Sequence, residues 1–213
     1  MNRLDPPRQA LAVSLAGLAG FVDASGFMAN GGYFISFMSG NTTRLAVDIA
    51  SAPGRALVPA GLIAGFVLGV MLGTLAAGRA GAQRKAAVLA LVAGLLALGG
   101  GLSHGGAPVA AQGLMVMAMG ALNATFQRDG EVTVGLTYMT GALVKTGQGL
   151  AARLAGRQGP AWGAQALLWG GLLAGGIAGA AAYGRLGLDV QAVSAAWAGL
   201  MALAGWRIAA AGG

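Results

Sequence analysis

The sequence predicts an all-α membrane protein made of two inverted repeats, each with three spanning helices and one broken segment, a short extended piece running into a half-helix. Three observations carry this prediction. Of 213 residues, 56% are hydrophobic and only 9% are charged, where a soluble domain of this size carries roughly 25% charged residues. One polar motif occurs twice, about a hundred residues apart. The basic residues collect between apolar runs and favour one orientation of the repeats over the other.

Apolar runs fall at 9–28, 56–78, 86–103, 108–127, 160–183 and 190–209, each close to the roughly 20 residues that carry a helix across the hydrocarbon core. Arg3 and Arg8 precede the first run in the manner of a signal peptide. It is retained here as the first helix, because its removal would destroy the first copy of the motif. Two further stretches, 33–50 and 132–151, are too polar for lipid-facing spans, with Ser36, Ser39, Asn41, Thr42, Thr43, Arg44 and Asp48 in one and Thr133, Thr137, Thr140, Lys145 and Gln148 in the other. The first repeat covers residues 1–105 and the second 106–213, together one membrane domain.

The duplication is read from matching residues. Gly20-Phe21-Val22-Asp23-Ala24 followed by Phe37-Met38-Ser39-Gly40-Asn41 and Arg44 returns as Gly120-Ala121-Leu122-Asn123-Ala124 followed by Tyr138-Met139-Thr140-Gly141-Ala142 and Lys145. Downstream, Gly65, Gly69, Gly73 and Gly78 match Gly171, Gly175, Gly179 and Gly184, and the spacing of four within the first three of each set puts them on one helix face suited to close packing.

Orientation follows from charge. If each polar stretch enters the membrane and returns, ten basic residues lie on the side of the N-terminus and three opposite; if both cross, the division is eight against five. Cytoplasmic loops are enriched in Lys and Arg, so the inverted arrangement with a cytoplasmic N-terminus is preferred.

In the polar stretches, aromatic and β-branched residues (Tyr33 to Phe37, Val132 to Tyr138) lead into Ser39-Gly40-Asn41 and Thr140-Gly141, which read as capping residues opening half-helices. Two helix N-termini facing each other at membrane depth make a polar, partially positive site. Ordinary capping with irregular packing is the plainer alternative. Asp23 lies inside the first apolar run, where a carboxylate must be protonated, coordinated or bridged; its counterpart Asn123 cannot titrate. Arg44 and Lys145 hold matching positions and are expected to attract an anion, to pair with Asp23, or to snorkel to an interface.

Other chemistries find no support. One histidine, His104, and no cysteine leave no zinc cluster, and no Walker-type phosphate loop occurs. The net charge of +7 reads as a topology signal rather than a nucleic-acid surface. No enzymatic activity, metal or cofactor is expected.

The pattern Gly20-x-x-Asp23-Ala24, Phe37-Met38-Ser39-Gly40-Asn41, Asn123-Ala124 and Thr140-Gly141 resembles the YoaK-type family of bacterial membrane proteins, a domain of unknown function, over essentially the whole chain. Ser39 departs from the threonine expected there but keeps the hydroxyl. The resemblance implies the bacterial inner membrane and supplies no substrate. A looser similarity of arrangement links it to uracil and sulfate permeases, where two short strands lead into facing half-helices.

The sequence therefore leads to the expectation of a small permease for an anionic or planar polar metabolite. Asp23, Phe37, Ser39, Gly40, Asn41, Asn123, Tyr138, Thr140 and Gly141 would contact the substrate, Asp23 would couple transport to protons, and Arg44 and Lys145 would set the electrostatics. A passive channel and a non-transporting scaffold are the alternatives. The glycine-rich faces are compatible with a homodimer.

Overall fold

The structure, a computed structural model, describes residues 5–128, 131–132, 134–137, 139–159 and 162–211. Its helices are α1 (Pro6–Ala29), α2 (Met38–Ser51), α3 (Leu57–Arg79), α4 (Arg84–His104), α5 (Pro108–Leu122), α6 (Met139–Leu154), α7 (Trp162–Leu186) and α8 (Val190–Ala211). A two-residue hairpin, β1 (Gln127–Arg128) and β2 (Glu131–Val132), is the only strand pairing among the described residues, with Gln127 opposite Val132.

Helix boundaries follow local chemistry. Asp5 caps α1 by accepting the Arg8 N–H at 3.0 Å, and prolines occupy the first helical positions, where their missing N–H groups cost nothing. At the other end the Asn30 side chain donates to the Gly26 carbonyl at 2.8 Å. Gly31 and Gly32, with φ of 62° and 83°, then turn the chain back. Five helical stretches are long and apolar enough to cross a membrane: Pro6–Ala29, Pro53–Arg79, Gly81–His104, Pro108–Phe126 and Trp162–Ala210. The last holds both α7 and α8, joined by a tight turn at Gly187. By contrast α2 and α6 have 14 and 16 residues, short of a full crossing.

Small residues decide how the long helices pair. A Cβ on Gly171 would stand 2.8 Å from the Val13 carbonyl oxygen, and on Gly175 and Gly179 it would strike the carbonyls of Gly17 and Phe21. Contacts therefore advance together along α1 and α7, which run parallel. On α3 the same register holds, with Gly69 against the Met117 carbonyl and Gly73 against that of Ala121 in α5. The exchange is reciprocal: Gly20 of α1 meets the Leu172 carbonyl of α7, while Gly120 of α5 meets the Phe66 carbonyl of α3. Each of these two pairs takes one helix from residues 1–105 and one from residues 106–213.

The remaining long helices, α4 and α8, are antiparallel, because Gly205 approaches Lys85, Ala86 and Leu89 while Gly100 and Ser103 approach Gln191. Between the pairs lies a core that includes Leu15, Leu18, Leu89, Val92, Leu96, Met119 and Leu122. The outer surface carries large apolar side chains in the open, among them Leu57 at 80%, Val109 at 82% and Leu154 at 90% exposure, the surface expected of a protein solvated by lipid.

Several expected details differ. The helix expected to reach residue 127 ends at Leu122 and tightens into a 3-10 turn, Asn123–Phe126. The extended pieces form no strand over 33–37, where the backbone is bent, and the hairpin precedes most of the stretch that read as strand-like. Ser39 is not a cap: α2 begins at Met38, with Phe37 in the capping position and no side-chain cap.

Candidate functional site

Asp23 lies one turn beyond Gly20, one of the points where α1 closely approaches α7, and its carboxylate organises the chain that leaves α1. Its Oδ1 accepts the backbone N–H groups of Ile35 and Ser36, both at 2.7 Å, with the Ser36 hydroxyl also directed to it. Asn41, fully buried in the first turn of α2, completes the clasp: Oδ1 accepts the Phe34 N–H at 3.1 Å and Nδ2 donates to the Phe34 carbonyl at 2.8 Å. The N–H groups of residues 34–36, which have no strand partner, and the Phe34 carbonyl are thereby satisfied by two side chains, as burial requires. Asn41 thus acts as a backbone mimic.

The second copy repeats the fastening with other atoms. Asn123 donates from Nδ2 to the Met119 carbonyl at 3.0 Å and accepts the Thr137 hydroxyl at 3.2 Å. Thr137 takes the place of Ser36. Ala142, matching Asn41, is buried but offers no hydrogen bond from its side chain.

These two fastened segments meet at a cavity of about 410 Å³ lined by Asp23, Phe34, Ser36, Phe37, Met38 and Ser39 from the first copy, Thr137, Met139, Thr140 and Gly141 from the second, and Leu172 of α7. The first turns of α2 and α6 therefore open onto one space. Its size lies within the range of small-molecule sites. Phe34 forms an aromatic chain with Phe27 and Phe37, at centroid separations of 4.9 and 5.1 Å. An adjoining recess of about 470 Å³ between α1 and α7 shares Asp23, Phe34 and Leu172 with the cavity and is otherwise apolar.

Of the residues singled out from sequence, Asp23, Phe37, Ser39, Thr140 and Gly141 line the cavity. Gly40 packs behind it, its missing side chain leaving room for the rings of Phe34 and Phe37. Asn41 and Asn123 support the wall from within the protein rather than facing the space. Tyr138 lies outside the described residues.

Arg44 and Lys145 are not at the wall. The Arg44 guanidinium sits 4.8 Å from the centroid of the Tyr33 ring, and Lys145 is exposed on α6. Neither forms an ion pair with Asp23 among the described residues, so the carboxylate is held by amide and hydroxyl donors instead.

Sequence reasoning passed over Phe34, Ser36, Thr137 and Leu172 as site residues. Ser36 and Thr137 were visible as matched hydroxyls just ahead of the half-helices. Leu172 could have been found from the glycine register, since it is the residue whose carbonyl Gly20 accommodates. Among the described residues no three His, Asp or Glu side chains are grouped as metal ligands would be.

A family model described as "Protein of unknown function (DUF1275)" matches residues 11–205 of the chain. The chain is similar to a UPF0700 transmembrane protein of Rhizobium meliloti (strain 1021), with 36% identity over 176 residues, covering 80% of this chain and 74% of that protein. No solved structure matches.

Proposed function

Since the chain belongs to the DUF1275 family of membrane proteins, whose description carries no activity, we propose from the geometry that it is a secondary-active transporter for a small planar polar metabolite. The observation that carries the proposal is the cavity built by the first turns of α2 and α6, one from each repeat, with Asp23 in its wall. Discontinuous segments meeting at a repeat interface are the recurring substrate site of transporters assembled from inverted repeats.

The helix directions support inversion. If α1 runs from the cytoplasm outward, then α7, parallel to it, also runs outward. The tight turn at Gly187 sends α8 back inward, and α4, antiparallel to α8, runs outward. The α3–α4 turn makes α3 run inward, and α5, parallel to α3, runs inward too. Every helix then opposes its counterpart in the other repeat, and α2 and α6 return to the side they came from.

The lining favours a planar polar compound. Phe34 and Phe37 offer ring faces; Ser36, Ser39, Thr137 and Thr140 offer hydroxyls; helix N–H groups at both starts suit a polarised carbonyl. With Arg44 and Lys145 away from the wall, attraction for an anion rests on the two helix N-termini alone. Asp23 lines the cavity while its Oδ1 holds the 35–36 backbone, so a proton or a substrate donor reaching this carboxylate would compete with donors already in place. Proton coupling through Asp23 follows as part of the proposal.

Purified protein in proteoliposomes tests this reading. Thermal stabilisation by a nucleobase or amide, followed by its accumulation against a gradient when a proton gradient is imposed, is the expected result. Flux that only equalises concentrations identifies a channel. Failure of a broad panel of anions, nucleobases and amides to stabilise the protein would sink the transporter reading in favour of a scaffold.

A further inference from the structure

Away from the central cavity, at the end of the bundle where α1 begins, α3 turns into α4 and α8 nears its end, a separate recess of about 260 Å³ is lined by Arg8, Arg84 and Lys85, with Gly81, Ala82 and Ile208–Ala209 around them. Positive charge there is under-compensated in three ways. Asp5 is the acid beside the cluster, and it lies on the Arg8 guanidinium at 3.5 Å with both side chains substantially exposed. Among the described residues, one carboxylate therefore faces three cations.

Arg84 and Lys85 are also the first two residues of α4, whose first turn holds no acid and whose start has no side-chain cap. A helix N-terminus carries a partial positive charge and normally attracts acids, not bases. Finally, the Nε of Arg8 is buried without a hydrogen-bond partner, a costly state for a charged donor. The part-buried Lys85 has its Nζ 5.7 Å from the Phe126 ring centroid and no carboxylate at ion-pair distance among the described residues.

A topology signal requires only that cations lie near span ends. It does not require them to converge on one concave site or to leave a guanidinium N–H without an acceptor. We propose that this recess binds a phosphate group, carried either by an anionic phospholipid headgroup or by a soluble phosphate. Several acceptor oxygens on one dianionic or monoanionic centre would satisfy the side chains of Arg8, Arg84 and Lys85 together. The recess falls below the usual volume of whole-metabolite sites, which suits a single phosphate rather than a larger anion. Basic pockets between membrane helices hold lipid headgroups in this way.

The test uses the full chain in two nanodisc compositions, phosphatidylcholine alone and phosphatidylcholine with phosphatidylglycerol. Inorganic phosphate is titrated into the first against chloride at matched ionic strength, and melting temperature is read in both. A concentration-dependent rise with phosphate assigns a soluble ligand, and a rise confined to the phosphatidylglycerol discs assigns a lipid headgroup; either supports the site. Arg84→Gln with Lys85→Gln should weaken the response at least tenfold in phosphate concentration or abolish the lipid-dependent rise. Arg157→Gln, an exposed cation elsewhere, should leave it intact. No rise in either arm, or an equal rise in the double variant, overturns the proposal. If the double variant does not fold, Arg84→Gln alone, at an exposed position, gives the same discrimination.

Discussion

Replacing Gly73 by alanine tests the packing that brings α3 and α5 together. A methyl group there would stand 2.7 Å from the Ala121 carbonyl oxygen, where ordinary contact begins near 3.4 Å. The obstructing atom is backbone, so α3 and α5 must separate by about 0.7 Å. A gap of that size forfeits roughly a quarter to a half of the local dispersion attraction, and overpacking of this kind costs about 1–3 kcal/mol. Gly61, on the same helix with nothing near its Cβ position, supplies the control: alanine there gains up to about 1 kcal/mol of helix propensity. Thermal unfolding in detergent should place Gly73→Ala below wild type and Gly61→Ala level with it or above, a separation of roughly 2–12 °C at about 2–4 °C per kcal/mol for a chain of this length. Gly179→Ala, the counterpart of Gly73 against the Phe21 carbonyl, should match or exceed the Gly73→Ala loss. Equal melting temperatures for Gly73→Ala and Gly61→Ala would refute the argument that close backbone approach, rather than glycine content, builds the bundle.

Other substitutions separate support from substrate contact. Asp23→Asn keeps an acceptor for the Ile35 and Ser36 N–H groups, so the protein should fold with a loss under about 2 kcal/mol while proton-driven accumulation disappears; retained accumulation would remove Asp23 from coupling. Asp23→Ala leaves two buried N–H groups unpaired and should cost about 2–4 kcal/mol by thermal melting. Asn41→Ala, which frees both backbone groups of Phe34, should destabilise by about 2 kcal/mol and lower ligand-induced stabilisation as well. Phe37→Ala, at a residue 40% exposed, should leave melting nearly unchanged in the absence of ligand and weaken ligand binding by about tenfold, read by thermal-shift titration.

The long helices were legible because spans of apolar residues are nearly sufficient to specify a membrane helix. The glycine register was legible as well, since a spacing of four marks one face. What the sequence could not state was which face meets which. That Gly69 seats on Met117 and Gly175 on Gly17 depends on three-dimensional pairing, and only the matched offsets hint that the two answers must agree. Five of the residues singled out line one cavity, while Asn41 and Arg44 are engaged elsewhere. Asn41 read as a substrate ligand; it fastens Phe34, because a bent segment without a strand partner needs its amides answered locally. Arg44 read as an electrostatic group for the site; Tyr33, eleven residues earlier and brought back by the Gly31-Gly32 turn, takes its guanidinium instead. Local pattern identifies which groups have needs, and the fold decides what meets them.

The parallel pairings of α1 with α7 and of α3 with α5 also bear on what can move. Each glycine-lined seam joins a helix before residue 105 to one after residue 107, so the two halves of the sequence are stitched through one another and cannot part along the boundary at 105–107. Each seam also carries a short helix, with α2 packed on α3 and α6 on α7. A chain cut between α4 and α5 would yield two fragments that each expose unfilled glycine grooves, and these should regain a stable bundle only when made together.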